Sequence, residues 1–173
     1  VSEYSSLMVL QQKYGKQQMR KFLKDALDSY LIGRASEWKN ENPLMLNENQ
    51  QYIHYNKGSL VLYAISDYIG EKNFNNALKE YVSAVAFQDA PYTNSYEFVS
   101  YIKKATPDSL QYLIKDMFET ITLYDNKVKE VTSKKLPNGN YLVEIEYNVS
   151  KYRAGNKGNK IYKEADGKTL SYS

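Results

Sequence analysis

Gln51-Tyr52-Ile53-His54-Tyr55-Asn56-Lys57-Gly58-Ser59-Leu60-Val61-Leu62-Tyr63-Ala64-Ile65-Ser66-Asp67-Tyr68-Ile69 is the most apolar long run in the chain, and its reading decides the architecture. Ile53, Leu60, Val61, Ala64, Ile65, Tyr68 and Ile69 spread over much of a helical circumference, which predicts a central, buried helix ended by Gly70. Its opening turns are unusual, because they hold His54, Tyr55 and Lys57 and then Gly58. A glycine inside a helix costs about 1 kcal/mol relative to alanine, so a packing or functional reason is expected for it. Close approach of two helices at Gly58, with Tyr55 a half-buried packing residue, is the plainest account.

Upstream of this run the spacing again follows a helical period. Ser2 reads as an N-cap, Leu7-Met8-Val9-Leu10 as the apolar core of the first helix, and Gly15 as its stop. Met19, Phe22, Leu23, Ala26, Leu27 and Tyr30 then form one continuous stripe that closes at Gly33. Residues 34–50 are polar, contain Pro43 and show no period beyond a small patch at Leu44-Met45-Leu46. They read as a loop, and a connection of this length is more often a wall over a site than a plain link, with Arg34 and its followers able to line the cleft.

Downstream, residues 71–87 carry Phe74, Leu78, Tyr81, Val82, Val85 and Ala86 on one face. A helix begun at Thr93 or Asn94 carries Phe98, Tyr101 and Ile102. Thr106-Pro107 reads as a cap with proline at the first helical position, ahead of Leu110, Leu113, Ile114, Met117 and Phe118. Short links between such helices imply antiparallel neighbours in a bundle or array.

From Lys127 the period changes to two. Val128, Glu130 and Thr132 alternate with Lys127, Lys129 and Val131, and Tyr141 to Val149 alternates after Pro137-Asn138-Gly139, a strong hairpin signal. Gly155 to Gly158 reads as a second turn, and Asp166-Gly167 as the turn of a further hairpin joining 160–163 to 168–172. The expected fold is therefore α+β: a mainly helical bundle or array over 1–124, then a small antiparallel β domain over 125–173, truncated before a sandwich is complete.

Composition narrows the function classes. The 173 residues are 42% hydrophobic and 25% charged, as in ordinary globular domains. Having no cysteine excludes disulfides and thiolate metal sites and leaves the compartment open. No apolar run approaches the roughly 20 residues of a membrane helix, so a soluble piece without membrane insertion is expected. Residues 1–119 hold 13 Lys/Arg against 14 Asp/Glu, and 120–173 hold 10 against 6, which gives −1 and +4. With no recognised motif beside it, the basic tail is read as a solvated surface and not as a nucleic-acid site. The 18 tyrosines are read as mostly half-buried. Val1 in place of Met, with a helical pattern already running by Ser2, reads as a piece cut from a longer polypeptide.

Chemistry is sparse in the residues themselves. His54 is the single histidine and cannot complete a zinc site alone, and no nucleophile elbow, phosphate loop or paired-carboxylate signature accompanies it. On physics alone His54 and Lys57 are structural.

Tyr55-Asn56-Lys57-Gly58-Ser59 nevertheless resembles the Tyr-x-Lys-Gly-[Ala/Ser] motif of the aminopeptidase-N-like zinc metallopeptidases, the gluzincins. Glu3-Tyr4-Ser5-Ser6-Leu7 is similar to the helix carrying that family's third zinc ligand, a glutamate. Gly70-Glu71-Lys72-Asn73-Phe74 and Ser95-Tyr96-Glu97-Phe98 match the starts of later family helices. Residues 52–63, 68–70 and 106–124 look closest to bacterial aminopeptidase-like proteins associated with an ABC-transporter permease. The likeness covers about residues 1–125.

The resemblance implies peptide hydrolysis by a zinc aminopeptidase in the full-length parent, which would be membrane-anchored in a bacterium. Tyr55 would be the catalytic tyrosine whose hydroxyl meets the tetrahedral intermediate. The His-Glu-x-x-His helix would lie upstream of Val1, and in the Glu-x-x-x-x-Tyr register ending at Tyr4 the glutamate ligand would too, so Glu3 is not that ligand. By this reading the piece holds no metal ligand and is inactive alone, zinc belongs to the parent, and the partners are a peptide substrate and the rest of the polypeptide. A non-catalytic helical module that binds a peptide or protein, or a degenerate peptidase domain beside a transporter, is the alternative reading.

Overall fold

The computed structural model describes residues 1–38 and 40–155 and the strand backbones of 160–163 and 170–172. The chain divides into two compact units, Val1–Ile121 and Thr122–Ser173. The fold is α+β and mainly helical.

In the first unit α1 spans Ser2–Tyr14, α2 Met19–Ser36, α3 Gly58–Ile69, α4 Glu71–Val85, α5 Ser95–Ala105 and α6 Gln111–Ile114. Gly15 ends α1 at φ 82°, a left-handed angle glycine adopts without a Cβ penalty, and its N–H reaches the Gln11 carbonyl. Ser2 is the first helical residue and not the cap, because its place is taken by Val1, which offers no side-chain acceptor. Asn94 does cap α5, its side chain accepting from the Glu97 N–H at 3.0 Å.

Two expected boundaries shift. Gly33 does not stop α2, which runs on to Ser36. What Gly33 supplies is room, since a Cβ there would lie 2.4 Å from the Tyr52 Cβ. Pro107 precedes a 3-10 turn, Asp108–Leu110, as its cap residue with extended ψ, and Thr106 instead closes α5 by donating its hydroxyl to the Ile102 carbonyl at 2.8 Å. The last helical stretch is a sequence of 3-10 turn, α6 and a π segment, Lys115–Glu119.

The core gathers one face from each helix. Ile65, Phe74, Ile102 and Ile114 are at or near zero exposure, with Val61, Leu62, Val99, Leu113 and Phe118 around them. Tyr4 enters this cluster from α1. Its ring meets Phe74 edge-on at 5.0 Å, and its hydroxyl lies 3.0 Å from Ser66 Oγ and 3.2 Å from Asn75 Oδ1. A buried ring thus keeps its polar atom satisfied, as burial requires. α3 is central as expected, although Tyr68 at its end is exposed. Among the described tyrosines only Tyr4 and Tyr30 are buried, and more are exposed than half-buried.

In the second unit β1 (Ile121–Lys135) and β2 (Tyr141–Ala154) are joined by the expected turn, with Gly139 at φ 86° and its N–H on the Leu136 carbonyl. β1 starts six residues before the alternating pattern does, and from Asn126 to Lys135 both of its faces are exposed. The short strands β3 (Lys160–Lys163) and β4 (Leu170–Tyr172) each pair antiparallel with β2, at Tyr152–Ala154 and Ile145–Tyr147. They run parallel to one another in consequence, so the expected hairpin of one with the other is not formed. The Gly158 and Asp166-Gly167 turns lie outside the described residues.

Gly33 and Gly58 separate two reasons for glycine. A Cβ on Gly58 would meet nothing nearer than 3.5 Å, so the expected close helix approach at that position is not the reason for it. Gly33→Ala should lower the unfolding free energy by about 1–3 kcal/mol through overpacking, while Gly58→Ala should leave it unchanged or raise it by up to about 1 kcal/mol. Denaturant unfolding of the two variants measures the contrast.

Candidate functional site

Tyr52–Lys57 fold as a π segment running straight into α3. The Gly58 N–H reaches the Ile53 carbonyl five residues back, and this wider turn carries one more residue than an α-turn over the same rise. It sends neighbouring side chains into different environments.

Tyr55 is 47% exposed and lines a cleft of about 280 Å³. Buried Leu62, Val99 and Phe118 form the inner wall, and exposed Ser2 and Glu3 of the first turn of α1 line the cleft as well. Leu44 and Met45 supply another side, held over it where Ser95 Oγ donates to the Met45 carbonyl at 2.7 Å. The segment after α2 is thus in part a wall, as its length suggested, but Arg34 is not among the lining residues. The Tyr55 hydroxyl has no hydrogen-bond partner among the described residues.

His54 lines the same cleft, its ring 4.3 Å from that of Tyr55. Asn47 Oδ1 accepts from the Gln50 N–H at 3.2 Å, which leaves the amide nitrogen to face His54 Nδ1 at 3.0 Å. His54 Nδ1 is thereby engaged by Asn47. Among the described residues no three His, Asp or Glu side chains come together. The described side chains that line the cleft offer no set of ligands for zinc.

Lys57 points away from the cleft into a buried polar cluster whose acid, Glu41, the sequence reading did not single out. Glu41, 4% exposed, accepts from Tyr30 Oη at 2.9 Å, Arg34 Nε at 2.6 Å and Lys57 Nζ at 3.3 Å. The Lys57 ammonium also lies 5.4 Å from the centre of the Tyr30 ring, and Tyr30 stacks on Tyr52. Gln50 extends the network, donating to Glu37 Oε2 at 2.7 Å and to the Asn40 carbonyl at 3.0 Å. A lysine inside an otherwise apolar run was the available sign that a buried carboxylate must exist, because a buried charge needs a partner. Which acid it was could not be read, since Glu41 sits in a stretch without period.

Burial shifts the titrations of this cluster. Desolvation lowers Lys57 below 10.5, with Glu41 opposing it. Desolvation, then the Glu41 charge, raises Tyr30 well above 10.0, and desolvation followed by Glu37 does the same for Tyr52.

Compared with family models, curated proteins and solved structures, the chain matches none. Among the described residues no helix is long and apolar enough to cross a membrane.

Two outcomes test the cluster. Glu41→Ala leaves the Lys57 ammonium buried without its carboxylate and should cost about 3–5 kcal/mol. Lys57→Met, which leaves Glu41 with Arg34 and Tyr30, should cost less; equal losses in denaturant unfolding would show that the pair is not what matters. In alkali the raised tyrosines dominate. The folded chain holds their protons while the unfolded chain gives them up, so their stabilisation is complete below pH 10 and lost as pH rises further. Lys57 acts in the opposite sense, adding stability as pH approaches 10.5. The thermal midpoint should therefore fall above about pH 10, and Tyr30→Phe should flatten that fall.

Proposed function

We propose that this chain supplies the substrate-cleft wall and an oxyanion-stabilising phenol to a zinc aminopeptidase-like polypeptide that cleaves peptide bonds. The observation that carries the reading is the placement of Tyr55. It stands half-exposed at an open cleft, its hydroxyl unengaged, at the mouth of an otherwise apolar central helix. The motif Tyr55-Asn56-Lys57-Gly58-Ser59 resembles that of the gluzincins, and the first turn of α1 reaches the edge of the same cleft.

In this role Tyr55 donates a hydrogen bond to the oxygen of the scissile carbonyl as water adds to it and charge develops there. Such a donor accelerates the step because it binds the developing oxyanion better than the neutral carbonyl. Lys57 and Glu41 act behind it by holding the π segment against α2. Leu62, Val99 and Phe118 give the inner cleft an apolar wall. Zinc would have to be held by residues outside this chain, in a segment preceding Val1 that would also carry the water-activating glutamate, so the chain by itself is inactive.

The test is made in the full-length polypeptide. Tyr55→Phe should lower turnover of a peptide substrate by about 10²–10³-fold with zinc content unchanged. Turnover near that of the wild type would remove the role of Tyr55, and a coding sequence without His-Glu-x-x-His upstream of Val1 would remove the peptidase reading as a whole.

A further inference from the structure

α2 carries more apolar surface than the fold buries. Of the stripe Met19, Phe22, Leu23, Ala26, Leu27 and Tyr30, only Met19 and Tyr30 are buried. Leu23, Leu27 and Leu31 recur every fourth residue and so stand on one side of the helix, beside the buried face. Leu27 is 43% and Leu31 49% exposed. With Leu60 of α3, Leu23 and Leu27 line a shallow groove of about 510 Å³ whose rim is Arg20, Lys21 and Lys24.

The charged residues that line this groove are all cations. From Lys13 to Lys24 the chain has Lys13, Lys16, Arg20, Lys21 and Lys24 and no carboxylate. Lys16 is paired with Asp67 and Lys24 with Asp28. Arg20 and Lys21 have no ion-pair or hydrogen-bond partner among the described residues. The groove is therefore apolar along its floor and positive at its N-terminal end.

We propose that this groove receives an acidic amphipathic helix of a partner protein. A ridge at four-residue spacing beside a second helix is the surface into which the leucines of another helix interlock. Carboxylates on that helix would meet Arg20 and Lys21, giving the pairing its orientation and its attraction at a distance. A second copy of the chain fits less well, since the residues lining the groove include no carboxylate to meet Arg20 and Lys21 of the other copy. An anionic bilayer fits less well too, because two uncompensated cations are few and Asp25 and Asp28 lie on the same helix. The inference is independent of the cleft at Tyr55.

The probe is a synthetic helix of about 18 residues, with leucines at every third and fourth position and glutamates at the flanks. Its controls are the same composition in scrambled order and a version with lysine in place of each glutamate. Fluorescence anisotropy should show saturable binding of the acidic helix and binding at least about tenfold weaker for both controls. Leu27→Glu with Leu31→Glu should abolish it. Arg20→Glu with Lys21→Glu, which leaves the apolar floor in place, should weaken it about tenfold and remove most of its salt dependence. All these positions are exposed, so the far-UV circular dichroism of each variant should stay that of the wild type. Equal binding of the acidic and basic helices, or indifference to either pair of substitutions, would overturn the proposal. So would preferential binding to phosphatidylserine vesicles, or self-association in sedimentation that the leucine substitutions abolish.

Discussion

One buried carboxylate holds the arrangement of the helical unit together at its least regular point. Glu41 lies in a stretch with almost no secondary structure, yet it receives hydrogen bonds from α2 through Tyr30 and Arg34 and from the π segment through Lys57. An ion pair taken out of water is costly unless its lone pairs are filled, and here three donors fill them. The consequence is positional. Glu41 is held against α2, Leu44 and Met45 stand over the cleft, and the π segment is fixed at its C-terminal end.

That fixing matters because of how side chains divide along Tyr52–Lys57. Ile53 and Lys57 are buried, the second against Glu41, while His54 and Tyr55 turn to the cleft. The wide turn and the anchored lysine together give a central helix a polar working face at one end without opening its core. The phenol of Tyr55 is left half-exposed at the cleft with its hydroxyl unengaged by the described residues.

α2 shows the same economy from the other side. Its apolar stripe is wider than the surface that covers it, and the packing on it is concentrated at the π segment, with less from α1 and α3. Gly33 marks where this contact is closest. The remaining leucines are left to the solvent with a basic rim beside them.

The helices themselves were legible because local spacing fixes them. The 3.6-residue period in 19–30 and 71–87 specifies a helix whatever it packs against, although the second ends at Val85, and Gly15, Gly70 and Asn94 mark ends through backbone freedom and side-chain acceptors. The Asn138-Gly139 turn and its two long strands were legible for the same reason. Tyr55 was singled out by motif and by its place before an apolar run, and the structure sets its side chain at a cleft.

Other features depended on contacts between residues far apart in the chain, which no local pattern encodes. The partner of Lys57 is sixteen residues away in an aperiodic segment, the reason for Gly33 is the Cβ of Tyr52, and β3 and β4 pair with β2 because a strand can take partners that its own alternation does not name. Local sequence decides which backbone forms are cheap. Only the packed structure decides which side chains are left to satisfy one another, because burial and charge neutralisation are properties of the assembled surroundings.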